Sequence, residues 1–120
     1  MRDFRKYKVW ELGHQLTLDI YRSTTSFPQE EMYGVTSQMR RASFSIPANI
    51  AEGAGRQSDA EFSRFLVYSQ GSASELEYFN MLVKDLGYIS EEKYENLQAK
   101  INHVKSSIHN LVKKIKSPSK

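Results

Sequence analysis

Apolar side chains recur three and four residues apart along most of this chain, and no stretch shows the two-residue alternation of a half-buried strand. Four segments carry that rhythm. Val9, Trp10, Leu12, Leu16, Ile20 and Tyr21 share one helical face and predict a helix over about residues 9–24. Val35, Met39, Ala42, Ile46, Ile50 and Gly53, with Asn49 among them, form a second stripe over about 32–53. Phe62, Phe65, Leu66, Ser69, Ala73, Leu76, Phe79, Leu82, Val83 and Leu86 give a third over about 59–86. The fourth, over about 91–115, is the cleanest: Tyr94, Leu97, Ile101, Val104, Ile108, Leu111 and Ile115 alternate three and four apart, as in a bundle seam.

Local chemistry marks the ends of these segments. Phe27-Pro28 closes the first, because the residue before a proline is pushed out of the helical basin. Gln29, Glu30 and Glu31 bring negative charge to the start of the second helix, where the peptide dipoles leave a positive end. Gly53 and Gly55 are placed to end it through the left-handed conformation that glycine adopts freely. Ser58-Asp59-Ala60-Glu61 has the form of a capping box, Ser90 caps the fourth helix, and Ser117-Pro118-Ser119-Lys120 reads as a frayed tail. Short connections between such helices predict an all-α, antiparallel up-down-up-down four-helix bundle, a single domain over 1–120, with the second helix kinked at Pro47.

Two features exceed what a lone bundle needs. Gly71-Ser72-Ala73-Ser74 interrupts the third helix with small residues, at a cost of about 1 kcal/mol for the glycine, which points to a neighbouring helix approaching closely. Phe4, Tyr7, Tyr33, Phe44, Tyr68, Tyr78 and Tyr88 fall off the main seams, and exposed aromatics in that number point to an interface between subunits; tyrosines lying flat on helix surfaces are the plainer explanation.

Composition narrows the function classes. With 120 residues, 39% hydrophobic and 12% aromatic, the chain can bury a real core. The absence of cysteine excludes disulfides, thiolate nucleophiles and cysteine-ligated zinc. The charged N-terminal residues lack the apolar stretch of a signal peptide and no run is long enough to span a membrane, so the chain reads as a cytoplasmic protein with no membrane partner. Net charge is only +3, yet residues 96–120 hold six lysines and no acid, while 75–95 hold six acids and two lysines. The C-terminal arm is therefore basic, a property that attracts phosphate backbones and equally serves solvation and the helix dipole.

Catalytic chemistry is poorly represented. Glu11-Leu12-Gly13-His14 has the Glu-x-x-His spacing of di-iron bundles, but neither His103 nor His109 has a glutamate three residues before it. Gly53-Ala54-Gly55-Arg56 lies at a helix C-terminus, where carbonyls repel phosphate. Three scattered histidines assemble no serine triad. No metal, no cofactor and no enzymatic activity are expected.

Residues 40–56 are denser. Glu52 and Arg56 are four apart and positioned to pair, and Arg40 and Arg41 are placed to reach Glu75 or Glu77 in the same chain or a neighbour. Asn49, on the apolar stripe, is expected to be buried and hydrogen-bonded. Pro47 deprives the Ser43 carbonyl of its helical partner, a vacancy that Ser43, Ser45 or an arginine is placed to fill. Arg40, Arg41, Asn49, Glu52, Arg56 and Glu75 thus read as a structural polar network or part of an interface.

Val9-Trp10, Phe27-Pro28, Tyr33-Gly34-Val35, Arg40-Arg41-Ala42, Ser45-Ile46-Pro47-Ala48-Asn49-Ile50-Ala51-Glu52-Gly53, Gly55-Arg56, Phe65-Leu66, Gly71-Ser72, Glu75 and Leu86-Gly87-Tyr88-Ile89 together resemble the four-helix-bundle proteins encoded within intervening sequences of bacterial 23S ribosomal RNA genes, also called the S23 ribosomal protein family. The resemblance spans roughly positions 9–89 and is most specific in the central motif. It implies an up-down bundle associating into a five-fold ring, a homopentamer. It also brings similarity in fold to a pentameric accessory protein that binds nucleic acid and a reverse transcriptase. No catalytic residues come with it.

The resulting expectation is a non-enzymatic homo-oligomer that binds RNA or DNA through Arg2, Arg5, Lys6 and Lys8 with Lys105, Lys113, Lys114 and Lys116. The alternative is a scaffold or accessory subunit that engages a partner protein, with the lysines serving solubility. Whether the two basic ends of the chain meet depends on the topology.

Overall fold

The computed structural model describes residues 2–116; the tail Ser117-Pro118-Ser119-Lys120 lies outside the described residues. Among these residues the regular structure is entirely helical: a 3-10 turn at Phe4–Lys6, α1 at Lys8–Ser23, a second 3-10 turn at Gln29–Glu31, α2 at Val35–Ala54, α3 at Asp59–Asp85 and α4 at Glu91–Lys116. The helices pack as a bundle with extents of 51 × 23 × 19 Å, α2 and α3 forming the most intimate pair and α1 and α4 the loosest.

The predicted seams meet in one core. Leu16, Ile20, Met39, Ile46, Ile50, Leu66, Leu76, Val83, Leu97, Ile101 and Ile108 are almost wholly buried in it. Each fully buried Leu or Ile side chain contributes about 1.5–3 kcal/mol. Phe4, Tyr7, Trp10 and Tyr88 pack against the edge of this core, so part of the apparent aromatic surplus is internal.

Helix α2 begins at Val35, three residues later than its periodicity indicates, because Gln29–Glu31 closes its own 3-10 turn. Glu31 Oε1 then accepts the Val35 N–H at 3.3 Å, so a residue of the connecting turn caps the helix. Ser58 Oγ accepts the Glu61 N–H at 3.1 Å and Ser90 Oγ the Lys93 N–H at 3.0 Å, as the cap patterns require.

Two expectations about glycine are overturned. Gly53 and Gly55 do not end α2 in the left-handed conformation: Gly55 has φ −80°, and among the described residues only Gly87, after α3, has a positive φ, at 81°. There the N–H of Tyr88 reaches the carbonyl of Val83 and that of Gly87 the carbonyl of Lys84. Gly53 instead admits α3, since a Cβ on it would stand 2.6 Å from Phe65 Cβ. In the small-residue run of α3 the outcome divides: Ala73 is wholly buried in the core, whereas Gly71 is exposed and a Cβ there would meet nothing within 4 Å. The close approaches of one helix to another occur at Gly53 and at Gly13, whose Cβ would lie 3.0 Å from Ile46 Cγ2 and 3.6 Å from Pro47 Cδ.

The approach at Gly13 resolves the backbone vacancy in α2, whose helical run is continuous through Pro47. The Ser43 carbonyl is taken by none of the expected residues; Thr17 Oγ1, from α1, donates to it at 2.9 Å while also lying 2.9 Å from the Gly13 carbonyl. Ser43 Oγ donates to Arg40 O, and Ser69 Oγ of α3 donates to Ile46 O at 2.7 Å. Three helices therefore satisfy one another's polar groups beside Pro47.

Candidate nucleic-acid interface

The two basic ends of the chain meet at one end of the bundle. Lys8 shares a cleft of about 260 Å³ with Ser107, Asn110 and Leu111 of α4. Lys116 shares another, of about 310 Å³, with Asp59, Ala60 and Ser63 at the start of α3. Residues 2–16, 47–70 and 101–116, which build this end, carry ten Lys and Arg against five Asp and Glu. The remainder, 17–46 and 71–100, carries six against nine. The bundle thus has a basic pole and an acidic pole.

The candidate phosphate contacts differ in their surroundings. Lys6, Lys8, Lys113, Lys114 and Lys116 are exposed at the basic pole. Arg5 lies there too, 3.2 Å from Asp3 and with its guanidinium over the Phe4 ring. Arg2 turns inward: it donates to the carbonyls of Arg56, at 2.6 Å, and Ala54, ion-pairs with Asp59, and covers the Phe62 ring. Its cation sits where the last carbonyls of α2 concentrate negative charge, and it ties the N-terminal segment to the α2–α3 connection. Lys105, on the inner side of these residues, is half-buried and bonded to Glu77 Oε1 at 2.8 Å. Sequence reasoning missed Arg64, which is exposed on the first turns of α3 at the same pole. Only the tertiary arrangement identifies it, because it is isolated in sequence from the other basic residues.

The residues grouped as a polar network fall into separate contacts. Arg41 bonds Glu75 Oε2 at 2.7 Å and Gln38, joining α2 to α3. Arg40 bonds Thr24 Oγ1 at 2.8 Å and lies over the Tyr21 ring, joining α2 to α1. Arg56 pairs with Glu52 at 2.9 Å and covers the Phe65 ring. Asn49 is half-buried and spends its amide on the Ser45 carbonyl at 2.8 Å. Arg40 and Arg41 thus tie α2 to α1 and α3, while the Asn49–Ser45 and Arg56–Glu52 bonds lie within α2 and the turn that follows it.

At the acidic pole, Tyr88 donates its phenol to Glu31 Oε2 at 2.8 Å. That hydrogen bond, followed by partial desolvation and the charges of Glu31 and Glu30, raises the Tyr88 pKa above its ordinary value of 10.0. The neutral phenol is the bonded form, so its stabilisation is complete below pH 10.0 and disappears as pH climbs through the raised value. The thermal advantage of the wild type over Tyr88→Phe, measured by melting at about pH 8 and about pH 11, should shrink at the higher pH.

His14 stacks on Trp10, with ring centroids 5.0 Å apart and planes 9° apart. Among the described residues no three of His, Asp and Glu gather in a way that could hold a metal ion, and no helix is long and apolar enough to cross a membrane. A concavity with an apolar floor lies between α1 and α4, a cleft of about 560 Å³ lined by Leu12, Leu16, Ala99 and Val104, with Gln15, Asp19, Asn96, Lys100 and His103 around them.

Comparison with known proteins fits this architecture. The family model described as 23S rRNA-intervening sequence protein matches residues 5–110. The crystal structure of a protein of unknown function from the S23 ribosomal protein family of Bacteroides thetaiotaomicron, at 1.70 Å, superposes with a TM-score of 0.80. It is 24% identical in sequence, over 88% of this chain and 95% of that one, a likeness that speaks to the fold alone. No curated protein matches the chain.

Proposed function

The chain belongs to the 23S rRNA-intervening sequence protein family, and on that premise we propose that it is a non-enzymatic, homo-oligomeric bundle that binds RNA or DNA at its basic pole. The observation that carries this reading is the convergence of Lys6 and Lys8 with Lys114 and Lys116 on one end of the molecule, far from most of the carboxylates. A concentrated cationic surface opposite an anionic one orients the molecule toward a polyanion before contact. The helices are read as antiparallel up-down-up-down, since hydrogen-bonding partners on adjacent helices run in reverse order, and α2 as bent at Pro47. The five-fold ring implied by the family resemblance would set several basic poles side by side and multiply their field.

The chain has one tryptophan, Trp10, near this pole, so its fluorescence reports a titration directly. Ribosomal RNA or duplex DNA added at about 50 mM salt should bind and be released steeply as salt rises. Lys6→Glu with Lys8→Glu should weaken binding by roughly tenfold or more, while Lys93→Glu at the acidic pole should leave it nearly unchanged. Absence of binding at low salt sinks the proposal.

The apolar cleft between α1 and α4 favours a second reading, a scaffold that seats a partner protein. Retention of one protein in a pull-down after nuclease treatment would favour it.

A further inference from the structure

A row of π systems stands at the basic pole. The Arg5 guanidinium lies over the Phe4 ring, 4.7 Å from its centroid, and Phe4 meets Trp10 edge to face at 5.0 Å. Trp10 in turn lies almost parallel to His14. Phe4, Trp10 and His14 are each half-buried, and the nitrogens of His14 hydrogen-bond to no described residue. The row continues along the seam between α1 and α2. Across that seam Thr17 meets Ser43 and Tyr21 meets Arg40. Phe44, one turn from Arg40 on the same face of α2, therefore falls between the levels of His14 and Tyr21. It is 45% exposed and Tyr21 39%, and Arg40 covers the Tyr21 ring as Arg5 covers Phe4.

We propose that this aromatic track binds unpaired nucleobases, so that the nucleic acid held at the basic pole is single-stranded. The inference rests on the nucleic-acid reading above and specifies its ligand. Lysines and arginines attract any phosphate backbone, duplex or single. Rings discriminate: in a duplex each base face is covered by its neighbours, whereas an unpaired base is free to lie on an aromatic side chain. Such contacts tolerate any base sequence, because every base has a π face. Lys6 and Lys8, exposed and adjoining Phe4 and Trp10 in the chain, are placed to hold the sugar-phosphate backbone while the rings take the bases. The unbonded His14 nitrogens offer a hydrogen bond to a base edge.

Fluorescent oligouridylate, oligothymidylate, and the thymidylate annealed to its deoxyadenylate complement, each titrated with the full chain at about 50 mM salt, test the track by anisotropy. Both single strands should bind roughly tenfold or more tightly than the duplex. They should also quench Trp10, the chain's one tryptophan, while the duplex leaves its emission nearly unchanged. A preference between uridylate and thymidylate assigns the track to RNA or to DNA. His14→Ala and Phe44→Ala, with folding checked by thermal melting, should each weaken single-strand binding by roughly fivefold or more and leave duplex binding unchanged. His14→Tyr keeps a ring at the position and should restore much of the loss. Equal binding of single strand and duplex, indifferent to His14→Ala and Phe44→Ala, overturns the track and leaves the basic-pole reading standing. Binding of none of the three probes overturns both.

Discussion

Gly53→Ala is expected to destabilise the protein by about 2–3 kcal/mol, although alanine is the better helix former by about 1 kcal/mol. The reason is where the new methyl group would lie. It would stand 2.6 Å from Phe65 Cβ, 3.1 Å from Phe62 Cδ1 and 3.3 Å from the Phe62 carbonyl oxygen. Two of these atoms are fixed to the backbone of α3, so no side-chain rotation relieves the clash and the helix itself must move. Gly53 lies in the tightest pair of helices, and Phe62 and Leu66 are buried immediately behind the contact. Displacement would therefore propagate into packed side chains, which do not yield without loss of contact. Thermal denaturation should show a midpoint lower by roughly 6–12 °C. Gly71→Ala is the internal control: the site is exposed, a Cβ meets nothing, and the substitution should stabilise the dilute chain by about 1 kcal/mol. If Gly53→Ala melted at or above the wild type, the close approach would not be a determinant of the fold.

These two glycines also show where sequence reading stops. A glycine within a helical pattern serves either a left-handed end or a near neighbour, and the one-dimensional pattern cannot separate the uses. Gly53 looked like a terminator because Gly55 and Arg56 follow it, yet the turn after α2 closes without positive φ and the left-handed cap falls at Gly87. The run around Gly71 looked like a contact because its residues are small, yet Ala73 alone of the run is fully buried and Gly71 itself faces open space. The helical seams were far more legible. A three-and-four spacing sustained across α4 has one economical burial, and Leu97, Ile101, Val104 and Ile108 are all buried. Local caps were legible for the same reason, since Ser58 and Ser90 act on backbone groups three residues away.

The candidate interface was legible as composition and illegible as geometry. Lysines crowding the end of α4 stand out in sequence, but their meeting with Lys6, Lys8 and Arg64 depends on how α1 and α3 lie against α4. The same dependence pairs Arg2 with Asp59 and Lys105 with Glu77. Polar contacts between helices follow from burial as much as from spacing, and burial at helix edges was not fixed by periodicity: Asn49, on the predicted stripe, is only half-buried.

Thr17→Val carries the other large expected effect, a loss of about 1–3 kcal/mol from a change that preserves the shape of the side chain. Pro47 has no N–H, so the Ser43 carbonyl four residues earlier has no helical donor. Ser43 is fully buried, which denies that oxygen a water molecule. Thr17 supplies the missing proton from α1, and it reaches because Gly13, one turn away, lets α1 settle against Ile46 and Pro47. Valine would leave the carbonyl buried and unpaired, and that desolvation penalty is the source of the effect. The same logic predicts a coupling. Pro47→Ala restores an N–H that can close the helical bond to Ser43, so Thr17→Val should cost much less in that background than in the wild type. A double-mutant cycle followed by urea denaturation measures the difference. Equal costs in the two backgrounds would mean that the threonine acts through packing or through its bond to Gly13, and that the proline's vacancy is not what it serves.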